Sequence, residues 1–221
     1  MTNDIAQEEG EEALERKVMK FDLSKAMLVA AACAICVPAG FAQTSTTTTT
    51  TTNPPTINQR KDNQQQRIGN GVENGSLTAG ETRSLERQES DVNKEEHQMR
   101  ALDNGKLTQQ DRSVLNQQQN HLSNEIYQDK HNAATQNYKG EVGARQRNQQ
   151  ERIGQGIKSG QLTARESAHL ENQQAHLNKE IHNDRAANGG KLTPAERKQV
   201  NHQENKTSKA IYDKKHNGRT R

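Results

Sequence analysis

Gly75-Ser76-Leu77-Thr78-Ala79-Gly80-Glu81 decides the fold of this chain, because its pattern returns three times. Gly105 to Asp111, Gly160 to Glu166 and Gly190 to Glu196 repeat the order Gly-x-Leu-Thr, two residues, then an acid. Each copy reads as a helix start. The Thr caps the first turn, and the acid three residues on reaches back to the cap's own N–H, so two orphan donors are satisfied together. The candidate cap residues are therefore Thr78 with Glu81, Thr108 with Asp111, Thr163 with Glu166 and Thr193 with Glu196. Pro194 adds a helix-compatible φ at the first helical position, where its missing N–H costs nothing.

The Thr positions lie 30 residues apart within each pair and 85 apart between pairs. The chain reads as a tandem duplication of a helical unit. Asn63 to Asn132 aligns with Asn148 to Asn217 without a gap, about half the positions being identical under that fixed-period test. Arg67-Ile68-Gly69 matches Arg152-Ile153-Gly154, and Ile126-Tyr127 with Lys130-His131-Asn132 matches Ile211-Tyr212 with Lys215-His216-Asn217.

Downstream of the starts the apolar residues are sparse and helically spaced. Leu85, Val92 and Met99 recur at sevens, a coiled-coil interval, and Leu115, Leu122 and Ile126 follow in the next segment. About 23 residues without Gly or Pro imply helices of roughly 35 Å. The Leu of each motif (77, 107, 162, 192) faces Thr82, Arg112, Ser167 or Arg197 at the fourth helical position, so it is no hydrophobic staple and is expected to pack on another helix. Asn58 to Val72 and Arg145 to Ile157 suggest a third, shorter helix per unit. Asn132 and Asn217 are expected to end the last helix in the left-handed region. The fold class is all-α: two units of about 70 residues, three helices each, in an antiparallel bundle. So few apolar side chains leave each unit marginal unless the units pack together or the chain forms a homodimer.

Ahead of the units, Ala26 to Ala39 is an apolar run preceded by Lys20 and Lys25 and followed by Gly40-Phe41-Ala42, a signal-peptide pattern with a cut after Ala42. Translation is expected to begin at Met19, since the acidic stretch Glu8 to Glu15 does not suit a positive leader. The run is shorter than the ~20 residues a span needs, so no stable membrane span is expected after cleavage. The expected layout is an export signal over 1–42, a Thr- and Pro-rich low-complexity linker over 43–56, unit 1 over 57–132, a connector over 133–147 with Gly140 and Gly143 as break points, unit 2 over 148–217 and a tail over 218–221.

Both Cys and both Phe lie in the signal segment, so neither a disulfide framework nor a thiol nucleophile is available to the mature chain. Removing residues 1–42 takes away four of the 31 Lys and Arg and seven of the 28 Asp and Glu, leaving a net charge of +6. Positive residues alternate with acids and amides instead of forming a stripe, and no nucleic-acid partner is expected.

The chemistry-bearing residues test poorly for catalysis and metal binding. Asp103-Asn104-Gly105-Lys106-Leu107-Thr108 resembles half an EF-hand loop. With Gly at loop position six, position one becomes Asn70, Arg100, Gln155 or Arg185 and position three Val72, Leu102, Ile157 or Ala187, which do not suit Ca²⁺. The eight His, at 97, 121, 131, 169, 176, 182, 202 and 216, contain no i, i+3 or i, i+4 pair for zinc, although a site between helices or chains stays open. There is no Gly-x-Ser-x-Gly elbow and no phosphate loop. Tyr127, Lys130 and His131, repeated as Tyr212, Lys215 and His216, are the one duplicated polar constellation; the Tyr is expected to pack inward on the last helical turn. No enzyme activity and no cofactor are expected.

Leu77 to Glu81, Leu107 to Asp111, Leu162 to Glu166 and Leu192 to Glu196, in an exported, Gln-rich, helical chain, are similar to the Leu-Thr-x-x-Gln motif of periplasmic stress proteins. That family of small helical dimers includes an ATP-independent chaperone and a zinc-responsive member. Glu or Asp stands here where the family has Gln. The resemblance implies a helical dimer acting on unfolded envelope proteins or in metal stress. The residues themselves point to a periplasmic or extracellular, non-enzymatic interaction or structural module with an envelope or extracellular protein partner, and the chaperone is the alternative.

Overall fold

A computed structural model describes residues 55–136, 138 and 140–220, apart from the side chain of Glu141. The expected export signal and nearly all of the Thr-rich segment expected as a linker lie outside the described residues. Among those described, six helices and no strand are present: α1 (Ile57–Asn74), α2 (Ala79–Leu102), α3 (Gln109–His131), α4 (Gly140–Ser159), α5 (Ala164–Ala187) and α6 (Pro194–Lys215).

The Gly-x-Leu-Thr motif works as a stop and a start in sequence. Gly75 and Gly160 end α1 and α4 at φ 73° and 72°, in the left-handed region that favours glycine. Three residues later the capping box opens α2 or α5. The intervening Leu folds back onto the helix just ended: the Leu77 N–H bonds Gly71 O at 3.0 Å, and a Cβ on Gly71 would lie 2.6 Å from the Leu77 side chain. Leu162 and Gly156 repeat this arrangement. Leu77, Leu107 and Leu162 are buried, whereas Leu192 is only partly so.

α2 and α3 form a hairpin, as do α5 and α6, and α1 and α4 lie against the hairpin of their own half. The closest packing is between halves, α1 on α4 and α2 on α5, while α3 and α6 do not touch. Counterparts 85 residues apart meet at the crossing. A Cβ on Gly69 would come within 2.9 Å of Gly154 O, and one on Gly154 within 2.8 Å of Gly69 O. Beside them Lys158 Nζ pairs with Glu73 Oε2 at 2.5 Å, and Gln66 Nε2 bonds Lys158 O at 2.9 Å. The halves thus face each other about an approximate two-fold axis, the self-complementary arrangement of an isologous dimer within one chain.

One core serves both halves. Ile68, Leu77, Leu85 and Ile126 share a continuous cluster with Ile153, Leu162, Leu170 and Ile211. A smaller cluster caps each far end: Val92, Leu107 and Leu115 with Ile57, and Leu177, Val200 and Val142 with Leu192. Packing between halves supplies the burial that the sparse apolar content of one unit lacks.

Three expectations are corrected. α4 begins at Gly140, inside the stretch read as connector, and Gly143 lies within the helix instead of breaking it. A Cβ at Gly143 would lie 2.5 Å from the Tyr138 carbonyl carbon, so glycine is there to admit a neighbouring backbone. Consequently Val142 is the counterpart of Ile57, and the correspondence starts earlier than the identical residues show. Asn132 is extended (φ −79°, ψ 174°), not left-handed, and its side chain bonds Glu81 instead. Tyr127 and Tyr212 do not pack inward; they are 61% and 58% exposed.

Candidate functional site: a cationic hollow in each half

All eight cap residues read from the sequence close their boxes. The acid accepts from the cap N–H at 2.8 Å for Thr78, Thr108 and Thr193 and at 3.2 Å for Thr163, while each Thr hydroxyl accepts from the acid's own N–H at 3.1 to 3.3 Å. These bonds hold the Asp111 and Glu196 carboxyls below their ordinary range. Burial pushes Glu166 up, but bonds from Asn217 and Thr163 outweigh it and leave it lowered. Asn132 Nδ2 to Glu81 (2.7 Å) and Asn217 Nδ2 to Glu166 (2.6 Å) tie the end of each third helix to the start of the second. The caps are structural, and an extra box, Thr56 with Gln59, opens α1.

The duplicated Tyr, Lys and His do not assemble a site. The ring centroids of Tyr127 and His131 lie 4.2 Å apart with the planes tilted by 31°, and those of Tyr212 and His216 stack at 4.2 Å. His131 Nδ1 lies 2.6 Å from Tyr127 O, and Lys130 Nζ donates to Arg67 O at 3.3 Å. The Lys and His groups are thus each placed against a helix carbonyl, as Lys215 and His216 are in the second half. Among the described residues no group of three or more His, Cys, Asp or Glu is placed to hold a metal ion, and no helix is long and apolar enough to cross a membrane.

The buried polar layer is closed to solvent. Gln65 Nε2 donates to Glu86 at 3.3 Å, and Gln150 Nε2 to Glu171 at 2.9 Å. Burial pushes the Glu171 carboxyl from about 4.5 up to about 8, against the opposing bond from Gln150.

What is open to solvent and repeated is a hollow at the α2–α3 turn and again at the α5–α6 turn. Asn104 and Gly105 both take positive φ (53° and 84°), and so do Gly189 and Gly190 (62° and 91°). Two successive left-handed residues turn the chain sharply, and the Gly105 N–H returns to Arg100 O at 2.7 Å, as Gly190 does to Arg185 O. The turn projects one lysine, and the first turn of the next helix supplies an arginine. Arg100, Lys106 and Arg112 rim a hollow of about 510 Å³ floored by Ile57 and Leu107. Arg185, Lys191 and Arg197 rim one of about 480 Å³ floored by Val142 and Leu192. Among the described residues neither lining contains an acid. The nearby Asp111 and Glu196 are turned back into their capping boxes.

Lys106, Arg112, Lys191 and Arg197 are exposed, and none has an ion pair or side-chain hydrogen bond among the described residues. Arg100 differs from its counterpart: Glu96 Oε1 accepts from its Nε at 2.9 Å and its Nη2 at 2.7 Å, whereas position 181 in the second half is Ile. A third hollow over the α2–α5 seam, lined by Arg87, Asp91, Lys94, Arg165 and His169, is not duplicated, because the counterparts of Arg87 and Arg165 are Asn172 and Gly80. Sequence reading noted Arg112 and Arg197 only as the residues that rule out a staple. The signal was present, in three cations and a Leu repeated at one interval, but their convergence depends on the paired left-handed turn.

The chain matches no protein-family model, no curated protein and no solved structure.

Proposed function

We propose that this is an exported, non-enzymatic helical repeat protein of the periplasm or extracellular space, acting as an interaction module that engages a protein partner at two equivalent places. The reading rests on the hollow repeated in the two halves. About half the aligned positions are identical, yet Arg100, Gly105, Lys106, Leu107 and Arg112 are all retained as Arg185, Gly190, Lys191, Leu192 and Arg197. Of the retained cations, the side chains of Lys106, Arg112 and their counterparts make no ion pair or hydrogen bond among the described residues, so holding the fold does not explain their retention. Exposed cations around a hollow with no acid among its described lining residues favour recognition over chemistry, which would need a positioned nucleophile or acid–base pair.

In-cell crosslinking of the tagged mature chain, followed by mass spectrometry, tests this reading. One or two partners at constant ratio are expected. A broad set of unfolded envelope proteins would replace it with the chaperone alternative, which the exposed Leu102, Tyr127 and Tyr212 favour; that alternative requires slowed aggregation of an unfolded client at near-stoichiometric amounts. Turnover of any substrate abolished by one point substitution would overturn both.

A further inference from the structure

We infer that each hollow binds a short acidic peptide segment carrying an apolar side chain between its carboxylates, so that one chain holds two such segments. This inference rests on the interaction-module reading and names the ligand chemistry of the same site.

The charge pattern selects the ligand. Arg112 and Arg197 offer planar forks suited to carboxylates, and Lys106 and Lys191 add point charges beside them. With no acid among the described lining residues, the cations there favour an approaching carboxylate. The floor selects further. Ile57 with Leu107, and Val142 with Leu192, present apolar surface beneath the cations. A uniform polyanion such as a sulfated glycan would satisfy the rim and leave the floor wet. A segment with acid, apolar residue and acid fills both, since in an extended peptide the central apolar side chain can point down to the floor while the acids at i and i+2, about 7 Å apart, leave the opposite face towards the rim cations. Each hollow also falls within the volume range of small-ligand and peptide pockets.

The halves are not equal in strength. In the first, Glu96 takes two of the Arg100 hydrogen bonds, and burial of Glu96 is outweighed by Lys61 and Arg100 so that it stays ionised. In the second, Ile181 replaces that acid, and the Arg185 side chain has no ion pair or hydrogen bond among the described residues. The second hollow is therefore the tighter one.

Calorimetric titration of the full mature chain with acetyl-Glu-Leu-Glu-amide at low ionic strength tests this. Two sites per chain are expected, the tighter in the second half. Lys106→Gln with Arg112→Gln removes the weaker site and leaves one; Lys191→Gln with Arg197→Gln removes the tighter; the quadruple variant binds nothing. Replacing the probe's Leu by Gly weakens binding about fivefold, while Arg87→Gln with Lys94→Gln on the seam changes it less than about twofold.

A single site, loss on the seam variant equal to that on the hollow variants, indifference to Leu against Gly, or tighter binding of dextran sulfate than of the peptide would each overturn the inference. So would the absence of heat at millimolar peptide. Thermal melts confirm that the variants remain helical, as expected for exposed side chains without internal partners. If crosslinking returns a constant partner that the quadruple variant also captures, the interaction module stands and the assignment to the hollows fails. If no partner is captured while the peptide binds at two sites, the ligand assignment stands and the module reading fails.

Discussion

The two halves place their buried acids on opposite helices. In the first, Glu89 lies on α2 and Gln119 on α3; at the counterpart positions in the second, Gln174 lies on α5 and Glu204 on α6. All four are fully buried. Around them the frame is the same. Gln64 Nε2 donates to Gln119 O at 2.7 Å and Gln149 Nε2 to Glu204 O at 2.9 Å, while Arg60 and Arg145 each donate to an Asn of the third helix at 3.1 Å. In the second half the arginine also reaches the acid, Arg145 Nε to Glu204 Oε2 at 3.1 Å. The difference teaches that this pair of positions keeps one carboxylate and one amide, and that either helix can supply either. Two buried carboxylates together would repel, and the geometry of the layer tolerates exchange because Glu and Gln have the same shape.

The comparison breaks most visibly at the crossing where the halves meet. Gly154→Val and Gly69→Val should each cost about 3 kcal/mol, the upper part of the overpacking range, because the new side chain meets a backbone carbonyl on the opposing helix. Urea midpoints should fall equally for the two, since each residue is the other's counterpart on the axis; unequal losses would show that the crossing is not symmetric.

A double-mutant cycle sharpens the exchange of acid and amide. Gln119→Glu should cost about 2 kcal/mol by bringing a second buried carboxylate beside Glu89, and Glu89→Gln should cost less. Combining them gives the first half the arrangement of the second, and the pair should recover most of the loss, a coupling that additivity cannot produce. Full additivity in denaturant titrations would refute the idea that this pair of positions requires one carboxylate.

Stability should also depend on pH through Glu171. Its carboxyl is raised from about 4.5 to about 8 in the folded chain, so folding favours the protonated form. That contribution is fully present below about 4.5 and is lost as pH rises through about 8. Melting temperature should therefore decline across this window, and Glu171→Gln should flatten the decline. The smallest effects belong to the caps: Thr78→Ala and Thr163→Ala should each cost about 1 kcal/mol, with matching shifts in the thermal midpoint for the two halves.

Much of this architecture was legible in the chain itself. Gly-x-Leu-Thr-x-x-acid states where one helix stops and the next begins, because an αL glycine and a capping box are local devices that act within a few residues. The 85-residue interval announces two similar halves for the same reason. The start of α4 was not legible, since Gly140 and Gly143 look like breakers when the backbone of Tyr138, which Gly143 admits, cannot be seen. The orientation of Tyr127 and Tyr212 was hidden too, because a helix end does not reveal which of its faces a neighbour covers. Tyr138, in the connector, is the aromatic whose hydroxyl is buried, and burial pushes its phenol up.

By itself, then, the sequence determined the helices, their ends and their duplication, all consequences of short-range hydrogen bonding and backbone conformation. Tertiary structure alone decided that the halves share one core, that Gly69 and Gly154 meet, and that Arg100, Lys106 and Arg112 surround one hollow with Arg185, Lys191 and Arg197 around its twin. Those depend on which helix faces pair, and pairing is settled by burial summed over the whole chain.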